Sequence, residues 1–297
     1  MKLKSLAPYL SLIVLSWATL LFLWLGIFSP YSIILTGTRL TPLKTLVGDV
    51  VPAEPKKQLV IPPPISYEIA PSVGNKLTID GIIAATNIER IKNGALALTE
   101  NSLLNAAASA KAKDMFDNQY FAHESPTGKG PGELVEATGY EYILIGENLA
   151  EGGFKDSVDV VTAWMNSPGH KANILNTKFV EIGVAAERGI WDGRNVWMAV
   201  QEFGLPLSAC DSPTKNLLNT IENNKIDISL SRQRLDIMKY DIETSYKNDW
   251  EGYNNRINDY NILVIQYNIL ISATQGMIKV YNIQVSVFND CLSEISN

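Results

Sequence analysis

The longest apolar stretch of the chain lies at its N-terminus. Residues 6–34 are mostly apolar, and no charged residue occurs between Lys4 and Arg39. A membrane-spanning helix needs about 20 apolar residues, whereas the apolar part of a cleaved signal peptide has about 7 to 15. The length of this stretch predicts a transmembrane signal anchor over residues 1–35, with the bulk of the chain outside the cytoplasm. Cleavage of the segment, which would release a secreted protein, is the alternative.

Proline dominates the next segment, residues 36–75. Prolines occur at positions 42, 52, 55, 62, 63, 64 and 71. Proline-rich sequence favours an extended polyproline II conformation and packs poorly, so the segment predicts a semi-rigid linker that holds the next domain away from the membrane. A proline-rich ligand for a partner protein is the alternative.

Residues 76–206 alternate between helical and strand-like patterns. The apolar spacing predicts helices over residues 77–93, 101–118 and 157–166, the first ending at Gly94 and the third at Pro168. Two strand-like stretches follow, 181–186 and 195–201, joined by a turn. Helices followed by a hairpin indicate an α+β domain in which helices cover a small antiparallel sheet.

Apolar residues recur at alternating steps of three and four along residues 217–292. One series runs from Leu217 to Ile242, and a more regular one runs from Tyr253 to Leu292. Neither series contains proline. This heptad spacing predicts that residues 207–297 form two long helices paired through a coiled-coil seam.

The only two cysteines are Cys210, which precedes the first series, and Cys291, which lies near the end of the second; both are about equally far from a polar break near Trp250. Folding the chain at the break brings the two thiols together, so we predict a disulfide that closes an antiparallel helical hairpin and stabilises it by about 2 to 5 kcal/mol. Such a bond persists only in an oxidising compartment, in agreement with a position outside the cytoplasm. Two free thiols, or a parallel coiled coil between two chains, are the alternatives.

The charge of the chain excludes one class of function. The formal net charge is -6, and no basic cluster interrupts the sequence. A broad nucleic-acid surface needs a concentrated basic face, so we expect no nucleic-acid partner.

The candidate chemistry centres on the only two histidines, His123 and His170, which both lie beside turn-forming residues. Histidines in such positions titrate near neutrality and bind metals readily. Ser125 and Ser167 lie near them in the sequence, but no nucleophile elbow is present, and both precede a proline as turn or helix-terminal residues do.

Five segments, in chain order, resemble the signatures of the CAP family, which includes the cysteine-rich secretory, antigen 5 and pathogenesis-related proteins. They are the helix with Asn87, Arg90 and Gly94, the segment around His123, Gly146-Glu-Asn-Leu-Ala150, Trp164 followed by Gly169-His-Lys-Ala-Asn173, and Val200-Gln-Glu-Phe-Gly204. Each segment is a weak signal by itself, whereas the ordered set is specific. The resemblance implies an α-β-α sandwich of the bacterial, SCP-like type.

The resemblance also implies a surface cleft with two histidines and two glutamates that is able to bind a divalent metal. His123, Glu147 and His170 correspond to three of these four residues, while the second glutamate is expected where this chain has Ser167. Two imidazoles and one carboxylate suit zinc with one coordination position open. Asn148 and Ser167 complete the expected ligand-binding set, and His123, Glu147 and His170 are the candidates for catalysis.

Each of these residues also has a structural interpretation. Glu147 and Asn148 would then fix a loop by hydrogen bonds, and His170 would cap the end of the third helix.

Three functions follow from these expectations. The first is an envelope-anchored binding module for a lipid, glycan or peptide; the second is a metal-assisted hydrolase or peptidase. The third is an assembly protein that binds an envelope partner through its coiled coil.

Overall fold

The structure, a computed structural model, describes residues 40, 51–67, 76–244 and 250–296. These residues form two compact units. One holds residues 51–67, 76–228 and 270–296, and the other holds residues 40, 229–244 and 250–269.

A six-stranded mixed sheet forms the centre of the first unit. Its strands are β1 (Gln58–Val60), β2 (Ile65–Ser66), β3 (Thr99–Glu100), β4 (Tyr142–Gly152), β5 (Glu181–Trp191) and β6 (Arg194–Pro206). The three long strands β4, β6 and β5 are antiparallel neighbours, with β6 in the middle. The short strands are parallel additions: β1 and β2 both pair with β4, and β3 pairs with β5.

Helices cover both faces of this sheet. They are α1 (Ile79–Lys92), α2 (Ser102–Asp117), α3 (Pro131–Ala137), α4 (Ser157–Asn166) and α5 (Pro168–Leu175). Helix α2 packs on β5 and β6 with α3 beside it, whereas α1, α4 and α5 pack together on the opposite face. The predicted α-β-α arrangement is therefore present, and the three helices predicted from periodicity are confirmed within two residues at each end.

Local capping explains where these three helices begin. The side chains of Thr78, Asn101 and Asp156 each accept a hydrogen bond from a backbone N–H in the first turn that follows. Such caps satisfy donors that have no partner inside the helix.

One charged side chain fastens the end of α1 to the loops around it. Arg90 is buried, and its guanidinium donates hydrogen bonds to four backbone carbonyls, those of Leu96, Ile174, Asn176 and Phe179. A buried guanidinium is tolerated here because its donors are satisfied.

The structure differs from the sequence prediction at three places. Residues 142–152, which include the segment expected to be a loop around Glu147, form a fully buried strand. Pro168 is expected to mark the end of helical structure, but a further helix, α5, begins there, since proline suits the first position of a helix. The spacer prediction is wrong for residues 58–60 and 65–66, which pair with β4 as strands β1 and β2.

Two further helices, α6 (Lys215–Thr244) and α7 (Trp250–Ser296), follow the sheet domain. Within the first unit, the N–H of Thr214 donates to Gln284, and Asn224 donates to Thr274. The partner's number falls as the residue number rises, so these parts of the chain run antiparallel. The predicted disulfide between Cys210 and Cys291 is confirmed, with Cα atoms 5.8 Å apart. A coiled-coil seam along the whole of residues 207–297 stays a prediction.

No helix among the residues that the structure describes has the length and apolar character to cross a bilayer. The predicted anchor over residues 1–35 lies outside these residues.

Candidate functional site

The candidate site lies along the outer edge of β4. Strand β1 pairs with residues 144–146 of β4, and β2 pairs with residues 150 and 151. The intervening residues 61–64 therefore pass β4 near Glu147 and Asn148 without joining the ladder. We refer to residues 58–66, which comprise β1, β2 and this connection, as the strap.

His123 stands on one side of this edge and is held by two acceptors. Its Nδ1 lies 2.6 Å from a carboxylate oxygen of Glu147, and its Nε2 lies 2.5 Å from the backbone carbonyl of Pro62 in the strap. Because a carboxylate and a carbonyl both accept hydrogen bonds, the ring makes both bonds together only when each nitrogen carries a proton.

His170 stands on the other side, in the first turn of α5. The ring is buried, and its Nδ1 lies 2.8 Å from Oγ of Ser167. Burial, reinforced by the nearby His123 and opposed by a backbone contact with Leu149, lowers the pKa of His170 to about 4. The ring is therefore neutral at pH 7, and its buried Nε2 makes no hydrogen bond of normal geometry.

A row of buried amides fixes β4 to α5 and α1, on the face of the sheet opposite α2. Asn148 donates to the backbone carbonyl of His170 and to Gln201, and Gln201 donates to Thr86. Asn173 donates to Asn148 and also to the carbonyl of Val60 in the strap. Asn148 is thus a positioning residue, and its amide points away from the carboxylate of Glu147 because adjacent strand residues face opposite ways.

Glu147 has a second carboxylate beside it. Glu202 is its direct partner across the β4–β6 ladder, and neither side chain is exposed to solvent. Burial, then the charge of Glu147 and a hydrogen bond to it, raise the pKa of Glu202 well above its ordinary value. When protonated, Glu202 donates a hydrogen bond to Glu147. Its two carboxyl oxygens have no other hydrogen-bond partner.

The charge that balances this pair comes from Lys111 of α2, which is also buried. Its ammonium donates to the backbone carbonyl of His123, at 2.6 Å, and to the hydroxyl of Tyr120. Desolvation lowers the pKa of Lys111, and the carboxylates of Glu147, Glu202 and Asp114 oppose that shift. Lys111 therefore positions the His123 loop and places one positive charge beside the two glutamates, on the face of the sheet that α2 covers.

Comparison with known proteins shows which family the segment carrying these residues resembles. Residues 83–203 match the model of the family described as CAP, the cysteine-rich secretory protein family. The chain contains a CAP domain. The family match covers both histidines, both glutamates and Lys111, whereas the strap and the two C-terminal helices lie outside it.

Two proteins of Bacillus subtilis (strain 168) are similar to part of this chain. YkwD is 41% identical over 122 residues, which are 41% of this chain and 45% of YkwD. The membrane protein YlbC is 30% identical over 107 residues, 36% of this chain and 31% of YlbC. The chain thus spans less than half the length of either relative.

Solved structures with a related domain include an extracellular SCP-domain protein of Bacillus anthracis str. Ames. It is 32% identical, with a TM-score of 0.37, over 42% of this chain and 39% of that one. An outer surface protein of Borrelia burgdorferi is 25% identical, with a TM-score of 0.36, over 42% of this chain and 90% of that one.

The metal ligands predicted for the CAP domain are not arranged as a metal site. His123 and Glu147 are in contact and the charge of His123 acts on His170, but both ring nitrogens of His123 already face other groups. Among the residues that the structure describes, no three His, Cys, Asp or Glu side chains are placed to hold an ion. The residues in this arrangement do not fit zinc, and we derive no chemistry through a metal.

Sequence reasoning missed Glu202, Lys111 and the strap. Glu202 follows Met198 and Val200 on one face of an apolar strand, and Lys111 lies in the apolar stripe of α2 between Ala107 and Met115. A charged residue inside an apolar stripe is the signal that identifies both. No such signal marks the strap, since parallel pairing with a distant strand leaves no local pattern.

Proposed function

We propose that this protein is an extracytoplasmic binding module, held at the membrane by residues 1–35, whose CAP domain takes a ligand at the β4 edge between His123 and His170. The extracytoplasmic placement is supported by the Cys210–Cys291 disulfide, because such bonds persist in oxidising compartments. The apolar length of residues 6–34 supports the anchor.

The observation that carries the proposal is the set of unsatisfied polar atoms at this edge. Nε2 of His170 is buried without an ordinary hydrogen-bond partner, and Nε2 of His123 is satisfied only by the strap. Leaving a buried polar atom unpaired costs about 1–3 kcal/mol, and a ligand at this edge would recover that cost by completing the bond.

Binding is favoured over hydrolysis by the state of the Ser167–His170 pair. The serine bonds Nδ1 of a ring three residues later in the same turn, and no carboxylate orients the other nitrogen. A general base works best with a pKa near the operating pH, whereas His170 has a pKa of about 4. Ser167 therefore acts as a local partner of His170 rather than as an activated nucleophile.

The two histidines provide a direct assay, because imidazole-labelled full chain in detergent gives only two sets of histidine signals in an NMR spectrum. We would titrate three probes: chitotetraose as a glycan, dihexanoyl phosphatidylglycerol as a lipid, and a peptide with the sequence of residues 51–67. Each titration is run on the wild type and on a V60D/I65D chain, in which the strap is weakened but the β4 edge is unchanged.

We expect at least one probe to shift the signals of both histidines in the V60D/I65D chain. An E147Q chain with the same strap substitutions is the matched control and should bind that probe at least about ten-fold more weakly, since one good charged hydrogen bond is worth that factor. Saturating amounts of all three probes without a shift would overturn the proposal, as would peptidase turnover that H170N abolishes.

A second candidate function, assembly with another envelope protein, is favoured by apolar side chains exposed on the C-terminal helices. Those on α6 are Ile226, Leu230, Ile237 and Tyr240, and those on α7 include Ile262, Ile269, Ile283 and Val287. Sedimentation of the full chain in detergent tests self-assembly: an oligomer that I237K/I269K dissociates supports it, and a monomer at all concentrations contradicts it.

A further inference from the structure

The strap is attached to the CAP domain on both sides of its unpaired connection. Lys57, just before it, forms an ion pair with Glu136, Val60 and Ile65 pack against the main core, and Tyr67 N–H, just after it, donates to the carbonyl of Glu151. Attachment at both ends fixes the register in which the connection between the two short strands crosses the candidate site.

Pro62 is the one residue of residues 61–64 that is buried. Its carbonyl faces Nε2 of His123, and a Cβ placed on Gly169 would lie 2.6 Å from its ring. The absence of a side chain at Gly169, directly before His170, thus leaves the space that Pro62 fills. The proline lies between the two histidine-bearing segments and contacts both.

The contacts of the strap are those by which a sheet edge holds an extended peptide. Backbone pairing on both sides of an unpaired stretch supplies affinity, and a pocket for one side chain within that stretch supplies selectivity. Prolines suit the unpaired stretch because they have no N–H to leave unsatisfied, and their restricted backbone lowers the entropy lost on binding.

We propose that the β4 edge is a binding groove for extended, proline-containing polypeptides of other proteins, and that the strap is an internal ligand that occupies this groove until such a polypeptide displaces it. The inference rests on the proposed function and names its ligand class. The incoming peptide pairs with β4 in the parallel direction, places a proline against Gly169, and gives a carbonyl to His123.

The attachment of the strap to the domain sets the strength of this competition. A segment linked in cis has an effective concentration in the millimolar range, so a peptide in trans binds weakly while the strap is intact. Weakening the strap without changing the groove removes the competitor and leaves the binding site as it was.

The test uses the fluorescent peptide of residues 51–67 and the full chain in detergent. We expect the V60D/I65D chain to bind this peptide at least about ten-fold more tightly than the wild type does, because the cis competitor is lost. A matched peptide that itself carries V60D and I65D should not bind. Equal binding of the two peptides, or no binding to a V60D/I65D chain that melts cooperatively, would refute the proposal.

A second route needs no substitution in the strap. A recognition sequence for a site-specific protease is inserted between residues 67 and 76, so that cleavage leaves the strap bound only by its contacts. Exchange of the cut fragment for labelled peptide supports an exchangeable ligand. A cut fragment that resists a large excess of peptide identifies the strap as a fixed part of the sheet and overturns the inference.

The outcomes separate this inference from the proposed function. If the histidine signals respond to the glycan or the lipid but not to the peptide, the groove binds another ligand class and only the inference fails. If no probe shifts either signal, both fail together.

Discussion

At the scale of single residues, the candidate site depends on the Glu147 carboxylate, which has both His123 and Glu202 as neighbours. Oε1 binds His123, and the same carboxylate lies beside Glu202, so a single side chain joins the ligand edge to the interior of the domain. Lys111 supplies the compensating charge from α2. A buried cluster of this kind is costly when any member loses its partner, and its members therefore have individually predictable effects on stability.

Glu202→Gln should stabilise the protein at neutral pH. The raised pKa of Glu202 means that the unfolded chain releases this proton at lower pH than the folded chain does, so stability is lost as pH rises above the ordinary value of 4.5. A glutamine amide keeps a donor toward Glu147 and has no proton to lose. The gain, measured by urea denaturation, should grow from pH 5 to pH 8.

Glu147→Gln is the control for that substitution, since it weakens the bond to His123 and should lower stability at neutral pH. A Glu202→Gln gain that is the same at every pH would contradict the assigned cause.

His170 should contribute a pH dependence of the opposite sign. Its pKa is about 4 in the folded protein against an ordinary value of 6.5, so the unfolded chain takes up this proton first as pH falls. Stability should therefore fall between about pH 6.5 and pH 4, by about 3 kcal/mol in total for this residue. His170→Gln should remove that part of the slope, and NMR should show the His170 ring unprotonated at pH 5.5.

At the scale of secondary-structure elements, the close approach of α2 to β5 determines how the second face of the sheet is covered. A Cβ on Gly183 of β5 would lie 2.1 Å from the backbone of Leu104. The same approach lets Asn105 accept a hydrogen bond from the N–H of Val184. Because α2 carries Lys111, the position of this helix also fixes the charge beneath the candidate site.

Gly183→Ala should destabilise the domain by about 3 kcal/mol or more, because the new methyl group meets backbone atoms that cannot move independently. Gly276→Ala is the matched control, since Gly276 lies within α7 with no atom near its would-be Cβ. That substitution should raise stability by about 0.5–1 kcal/mol. The two changes are compared by the midpoint of urea denaturation, and equal effects would contradict the packing argument.

At the scale of the whole molecule, the chain closes on itself at two points far apart in sequence. The strap joins the sheet edge, and the disulfide joins Cys210, after β6, to Cys291 near the end of α7. Phe288 and Leu292 of α7 belong to the same core cluster as Trp164 and Phe203 of the CAP domain. The end of α7 is therefore part of the domain core, although it lies outside the family match.

Replacing both cysteines by serine should lower stability by about 4 kcal/mol, since the bond closes a loop with a sequence separation of 81 residues. Reduction of the wild type should have the same effect, which urea denaturation with and without reductant would measure. Non-reducing electrophoresis should show a monomer, and a disulfide-linked dimer would contradict the intrachain pairing.

The sequence by itself determined the features that depend on local chemistry. Helices α1, α2 and α4 follow from apolar periodicity and from the caps Thr78, Asn101 and Asp156, all of which act within one turn. The ordered CAP signatures identified His123, Glu147 and His170, and cysteine placement identified the disulfide. The inferences on the helices and the disulfide succeeded because residue order along the chain carries the information they need, whereas the roles of the three site residues stay predictions.

Only the tertiary structure decided which groups meet across the sheet. Strand register pairs Glu147 with Glu202, the packing of α2 places Lys111 below them, and parallel pairing with β4 brings Pro62 to His123. Parallel pairing and strand register join residues that are distant in sequence, and they are set by the packing of the complete core rather than by neighbouring residues. For this reason the sequence predicted a spacer where the folded chain has a strap across its candidate binding groove.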